Sequence, residues 1–173
     1  MKFVFDVESN GLHGAGFAVG WVVVTSDDKI CSTGYLRCPI VGKVDPWVAR
    51  NVIPQLDPEN CKDAIELRNG FWKAWIKAKE QGATAWADCG FPVESNFLSA
   101  CVHDNLADRM WNAPYPLHDI ATVFHVCGTD PMHTMERLWD EDEHHPTGDA
   151  RQSARLLLET LALFDLRHGQ SQR

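Results

Sequence analysis

Asp6 and Glu8 stand two residues apart at the end of a short run rich in Phe and Val. In an extended strand every second side chain points to the same face, so both carboxylates can reach one cation beyond the strand's exit. A second group of ionisable residues lies near the other end of the chain, in His144-His145-Pro146-Thr147-Gly148-Asp149-Ala150, directly before an amphipathic run. Asp149 falls where a helix begins, a place where the helix dipole favours negative charge. Either group alone is an ordinary surface or capping feature. Together, three carboxylates and a histidine at element ends form the inventory for metal-assisted phosphodiester hydrolysis. Carboxylate oxygens suit Mg²⁺ or Mn²⁺, and an imidazole suits proton transfer near neutral pH.

The elements that must position these residues follow from periodicity. Residues 2–7 alternate and read as a strand that ends at the first two acids. Residues 17–25 and 30–37 are two further apolar runs joined by Ser26-Asp27-Asp28-Lys29, which predicts an antiparallel hairpin in the same sheet. Asp45 and Pro46 open a short helix through Trp47, Val48 and Val52, which Pro54 should end. Residues 60–80 place Ala64, Ile65, Phe71, Trp72, Trp75 and Ile76 along one side of a longer helix, bent or broken near Gly70. A short strand over 83–87 ends at Asp88, so another acid stands at a strand exit, and a helix follows over 92–106. Residues 114–118 suggest a further short strand, with Asp119 capping a helix through Val126. Residues 128–146, including the acidic run Asp140 to Glu143, read as a loop over a site, with a turn of helix around 132–139. Finally, residues 147–164 carry Ala150, Ala154, Leu157, Leu158 and Leu161 at helical spacing. The order predicts an α/β fold: one mixed sheet flanked by helices, with acids gathered at strand ends.

Composition bounds the possibilities. A chain of 173 residues with 45% hydrophobic and 23% charged residues can build one core, and no repeat or interdomain linker divides it. Sixteen basic against 24 acidic residues leave a net charge of −8, which excludes a broad phosphate-gripping face. A nucleic acid would therefore be held locally, at one end or through metal ions. The six cysteines show no CxxC spacing and are expected to be reduced and mostly buried. No apolar run approaches a membrane span, and Met1-Lys2-Phe3 leads directly into a strand, so a cytoplasmic protein is expected.

The segment Phe5-Asp6-Val7-Glu8-Ser9-Asn10-Gly11-Leu12 resembles the first motif, F-D-x-E-T-T-G-L, of the DEDDh class of 3′-to-5′ exonucleases. His144 to Ala150 resembles the third motif of that class, H-x-x-x-x-D-A. Residues 47–56 and Trp86-Ala87 resemble segments of the small bacterial and phage exoribonuclease group that includes the adenosine-specific RNase. The resemblance spans residues 3 to about 158 and implies a ribonuclease H-like, five-stranded single domain over 1–165 with a tail over 166–173. It also implies hydrolysis of a single-stranded nucleic acid from its 3′ end, RNA favoured over DNA, with two divalent ions, Mg²⁺ or Mn²⁺. Asp6, Glu8 and Asp149 would be metal ligands and His144 the general base, with His145 a neighbouring alternative. The second motif of the class has an Asp in the pattern F-D-x-x-F-L. Here Val93-Glu94-Ser95-Asn96-Phe97-Leu98 matches that register with Glu94 in its place, and Asp88 is the rival six residues earlier. Ser9, Asn10 and Gly11 would meet the terminal nucleotide and Leu12 would wedge against its base, while His13, Arg50, Phe91 and Trp111 are further contact candidates. A homodimer is a further expectation from the resemblance. A catalytically degraded nucleic-acid-binding or regulatory module on the same fold is the competing reading.

Overall fold

The computed structural model describes residues 1–128 and 143–168. Five strands, β1 (Lys2–Ser9), β2 (Gly16–Val24), β3 (Ile30–Arg37), β4 (Thr84–Ala87) and β5 (Leu117–Asp119), form one mixed sheet in the order β3-β2-β1-β4-β5. The first three are antiparallel neighbours, whereas β4 runs parallel to β1 and β5 parallel to β4. Among the described residues six α-helices flank this sheet: α1 (Pro46–Asn51), α2 (Ala64–Glu80), α3 (Ser95–Asp104), α4 (Leu106–Arg109), α5 (Ile120–Val126) and α6 (Pro146–His168). The result is a single compact α/β domain, as the order of periodic segments predicts.

Alternation along β1 divides the core. Phe3, Phe5 and Val7 point to the side covered by α2 and α3, where Phe71 packs against Phe3, Phe5 and Phe97 with ring centroids 5.1–5.6 Å apart. Val4 points the other way, into a second cluster with Val22, Val24, Ile120, Phe124, Ala154 and Leu157 beneath α5 and α6. Asp6 and Glu8 have the parity of Val4 and therefore lie on the α6 side. The same period that buries β1 thus aims its two acids at the last helix.

Local chemistry sets the helix ends. The Asp63 carboxylate accepts the Glu66 amide at 2.8 Å while the Glu66 carboxylate accepts the Lys62 amide at 2.7 Å, so α2 begins at Ala64 rather than near residue 60. The expected bend at Gly70 is absent, and α2 runs unbroken through it. Gly70 serves packing: a Cβ there would stand 2.6 Å from the Leu36 Cδ1 of β3. Likewise α1 ends at Asn51, before Pro54, which sits in a 3-10 turn over Ile53–Gln55. The helix expected from residue 92 starts at Ser95, after a π-turn over Gly90–Glu94.

The acidic loop expected over the site falls mainly at residues 129–142, outside the described residues, as do residues 169–173. All six cysteines are free, with Cys38, Cys61 and Cys101 buried. Among the described residues no helix is long and apolar enough to cross a membrane.

Candidate metal centre

β1 is longer than its parallel neighbour. Its pairing with β4 stops at Phe5 and Ala87, so the stretch carrying Asp6, Val7 and Glu8 continues past the end of β4. The π-turn Gly90–Glu94 packs against that continuation. It brings in Glu94, which is only 6% exposed and whose carboxyl feels the nearby backbone amides of Glu94 itself and of Val7. Glu94 therefore stands beside β1. Asp119 holds the turn: one carboxylate oxygen accepts the Gly90 amide at 2.7 Å, and the other accepts the Thr122 amide at 2.6 Å and the Thr122 hydroxyl at 2.7 Å. The expected helix cap thus has a second task, since it fixes the segment leading to Glu94.

The other half of the centre arrives with α6. Gly20 pairs with Asp6 across the β1–β2 ladder, and a Cβ at Gly20 would lie 2.2 Å from the Thr147 backbone nitrogen. Only the absence of a side chain there lets the first turn of α6 lie on the sheet beside Asp6. The Thr147 hydroxyl ties the same turn to β3 by donating to the Gly34 carbonyl at 3.0 Å. Asp149 sits in this turn, with its amide bonded to the His145 carbonyl at 2.9 Å.

His144 adopts a left-handed backbone conformation, φ 62°, which is costly for a residue with a Cβ and is sustained by its surroundings. The two adjacent histidines go to different neighbours. His144 meets the edge of Trp47 with centroids 5.2 Å apart, whereas His145 stacks on Tyr35 at 4.9 Å and places Nε2 3.3 Å from an Asp57 oxygen. His144 turns toward the acids: Glu8, His144 and Asp149 offer ligand atoms that all lie within 4.8 Å of one another. The carboxylates of Glu8 and Asp149 at that separation could hold a divalent cation of the Mg²⁺ or Mn²⁺ kind, with the His144 imidazole beside it.

Burial and mutual repulsion raise the pKa values of these carboxylates. Burial raises Asp6 well above the usual carboxylate range, followed by the charges of Asp149, Glu8, Glu94 and Asp88. Glu8 is pushed up to about 8 by burial and then by Asp149 and Glu94. Glu94 rises to about 7 through burial, against the pull of those two backbone amides, with Asp88 and Asp119 adding to the rise. Asp6, Glu8, Glu94 and Asp149 thus interact as one group, which a cation would neutralise.

Asp88 contributes charge to this group, but the turn-capping role at Gly90 that its position suggests belongs to Asp119. The loop after β1 is largely self-contained. The Ser9 hydroxyl donates to the Gly11 carbonyl, and the amides of Asn10 and Gly11 donate to the Ala15 and Ser9 carbonyls. The Asn10 side chain bridges to the Lys43 carbonyl at 3.0 Å and the Asp45 amide at 2.8 Å. These groups shape the loop, and Leu12, 63% exposed, projects into solvent beside the exposed His13. Sequence reasoning missed Trp47 as the neighbour of His144, Gly20 as the seat of α6 and Asp119 as the clamp on the Glu94 turn. Each acts on a partner far away in sequence, and only the helix-cap signal of Asp119 hinted at any of them. Compared with known proteins, the chain matches no family model and no curated protein.

Proposed function

We propose that this protein is a metal-dependent 3′-to-5′ exonuclease of ribonuclease H-like fold, acting on single-stranded nucleic acid with RNA favoured over DNA. The observation that carries the reading is the convergence of Glu8, His144 and Asp149, from β1 and the start of α6, within 4.8 Å at the strand exit. Asp6 and Glu94 share its electrostatics. The five-stranded mixed sheet and the two sequence motifs at its ends are the further support.

In this reading Asp6, Glu8 and Asp149 hold the divalent ions and Glu94 assists from the π-turn. Bound there, the ions supply acidity to an attacking water and charge stabilisation to the departing 3′ oxygen. His144 takes the proton of that water, and the ring of Trp47 limits where its imidazole can swing. Leu12 packs against the terminal base.

The test is a 5′-labelled single strand, as RNA and as DNA, incubated with Mg²⁺ or Mn²⁺. Stepwise shortening from the 3′ end with release of nucleoside 5′-monophosphates is expected, and none in EDTA. Binding of the strand without shortening under any metal would favour the degraded-module reading, which the Glu at the second-motif position motivates.

A further inference from the structure

At the opposite end of β4 and β5 from the acids lies a cavity of about 620 Å³, within the range of small-ligand sites. Its floor is Trp75, 3% exposed, and its outer wall includes Trp111 and Tyr115, which are 82% and 98% exposed. Rings so open to water stand apart from the eight aromatic residues the domain buries, and the third most exposed aromatic among the described residues, Phe91 at 72%, borders the far end of β5. Phe91 follows Gly90, whose amide is bonded to Asp119 at the end of β5, whereas Tyr115 stands two residues before its start. Between them His118 stacks on Trp86 with centroids 4.4 Å apart. Aromatic side chains therefore flank β5, the edge strand of the sheet, from the cavity up to the turn that carries Glu94.

The charge of the cavity differs from that of the chain. In a protein of net charge −8 the cavity lining includes Lys79 and His118 and, among the described residues, no carboxylate. The Lys79 ammonium is oriented at the rim by neutral oxygens, donating to Asn112 Oδ1 at 3.1 Å and the Trp111 carbonyl at 3.5 Å. Exposed rings beside a cation are the chemistry that binds unpaired bases and their backbone.

We propose that the β5 edge is a binding track for single-stranded nucleic acid, in which the Trp111–Tyr115 cavity takes an unpaired base several nucleotides upstream of the 3′ end. This deepens the nuclease reading and rests on it for the strand's polarity. The three residues of β5, Leu117–Asp119, span about 7 Å, the length of about two stacked nucleotides, to which the cavity at one end and the turn at Phe91 at the other add further reach.

The test uses the full chain in Ca²⁺, with fluorescence anisotropy of a labelled 12-nucleotide RNA. Trp111→Ala and Tyr115→Ala each lower affinity about tenfold or more, and Trp111→Phe recovers most of it. Both rings are exposed, so the variants fold, which circular dichroism checks. Unchanged affinity in both alanine variants, or no binding of the 12-mer by the wild type, overturns the track. A wild-type dimer that the alanine variants convert to monomer, with RNA affinity unchanged, also overturns it and assigns the rings to contact between copies. A dinucleotide, too short to reach the cavity, reports on the acid centre alone. If wild type cleaves it while the 12-mer result is negative, the track fails and the nuclease stands. If ring-dependent binding occurs with no cleavage of either strand, the nuclease reading fails and the track stands.

Discussion

Asp6 and Glu8 pay for their position in stability, because each is held among like charges in partly dehydrated surroundings. Asp6→Asn and Glu8→Gln should therefore raise the melting temperature of the metal-free protein while reducing hydrolysis to background. Thermal unfolding in EDTA and the 3′-end assay check both halves, and a lower melting temperature would show that these carboxylates carry structural hydrogen bonds. Glu94 calls for a different contrast. It is buried, so Glu94→Gln keeps the shape but removes the charge. Activity should fall about 10–100-fold, the usual cost of altering a group that supports metal ligands. Asp88→Asn should be milder, because its contribution to Asp6 is the last and smallest of the neighbouring charges. Equal losses from the two would place Asp88 in the metal set beside Glu94. Much of this centre was legible in the sequence. Strand parity put Asp6 and Glu8 on one face, and the helix start located Asp149. The split between His144 and His145 was not legible, because it depends on a left-handed backbone at His144 and on Trp47 and Tyr35, which lie about a hundred residues away.

Two elements, the strand pair β1–β2 and the start of α6, decide whether the centre assembles. Their meeting point is Gly20, directly opposite Asp6, with the Thr147 backbone above it. Gly20→Ala forces a methyl group against main chain rather than against the end of a mobile side chain. The expected cost is about 1–3 kcal/mol, and α6 should move off the sheet, taking Asp149 away from Glu8. The variant should lose both activity and the stabilisation by Mn²⁺ while remaining folded. Retained metal stabilisation would mean that α6 tolerates the shift. Glycines marked the limits of sequence reading at this scale. The helical pattern correctly found α2, yet Gly70 suggested a break because a glycine in a helix weakens it locally. The Leu36 side chain that requires that glycine comes from β3. Similarly, Gly20 lies inside a strongly apolar strand with nothing in the neighbouring sequence to mark the helix that will cross it. The short strand β5 was found close to its true place, offset because Pro114 and Pro116 precede the residues that pair.

For the whole molecule the acid cluster sets the pH dependence of stability. Glu8 titrates near 8 and Glu94 near 7 in the folded protein, against an ordinary value of 4.5, and Asp6 is raised as well. Between the unfolded and folded values the native state binds more protons than the unfolded chain, so stability falls as pH rises. This contribution is fully present below about pH 4.5 and is lost as pH passes through 7 and 8. Lowered carboxylates such as Asp119, held by the Gly90 and Thr122 donors, act in the opposite sense but below the ordinary value of 3.8. The two slopes do not overlap, and the metal-free protein should be most stable near pH 4–5. A divalent ion reverses the upper slope, because it binds the deprotonated carboxylates and competes with protons for them. Melting temperatures in EDTA should therefore decline from about pH 5 to about pH 8, whereas the increment produced by Mn²⁺ should grow over the same interval. Glu8→Gln should flatten both trends by removing a group that titrates near 8, while a distant surface change such as Lys29→Gln should leave them intact. A metal-free melting temperature that is flat or rises from pH 5 to 8 would show that the carboxylates at the strand exit are already ionised in the folded protein. The cluster would then be a solvated face rather than a centre that waits for a cation.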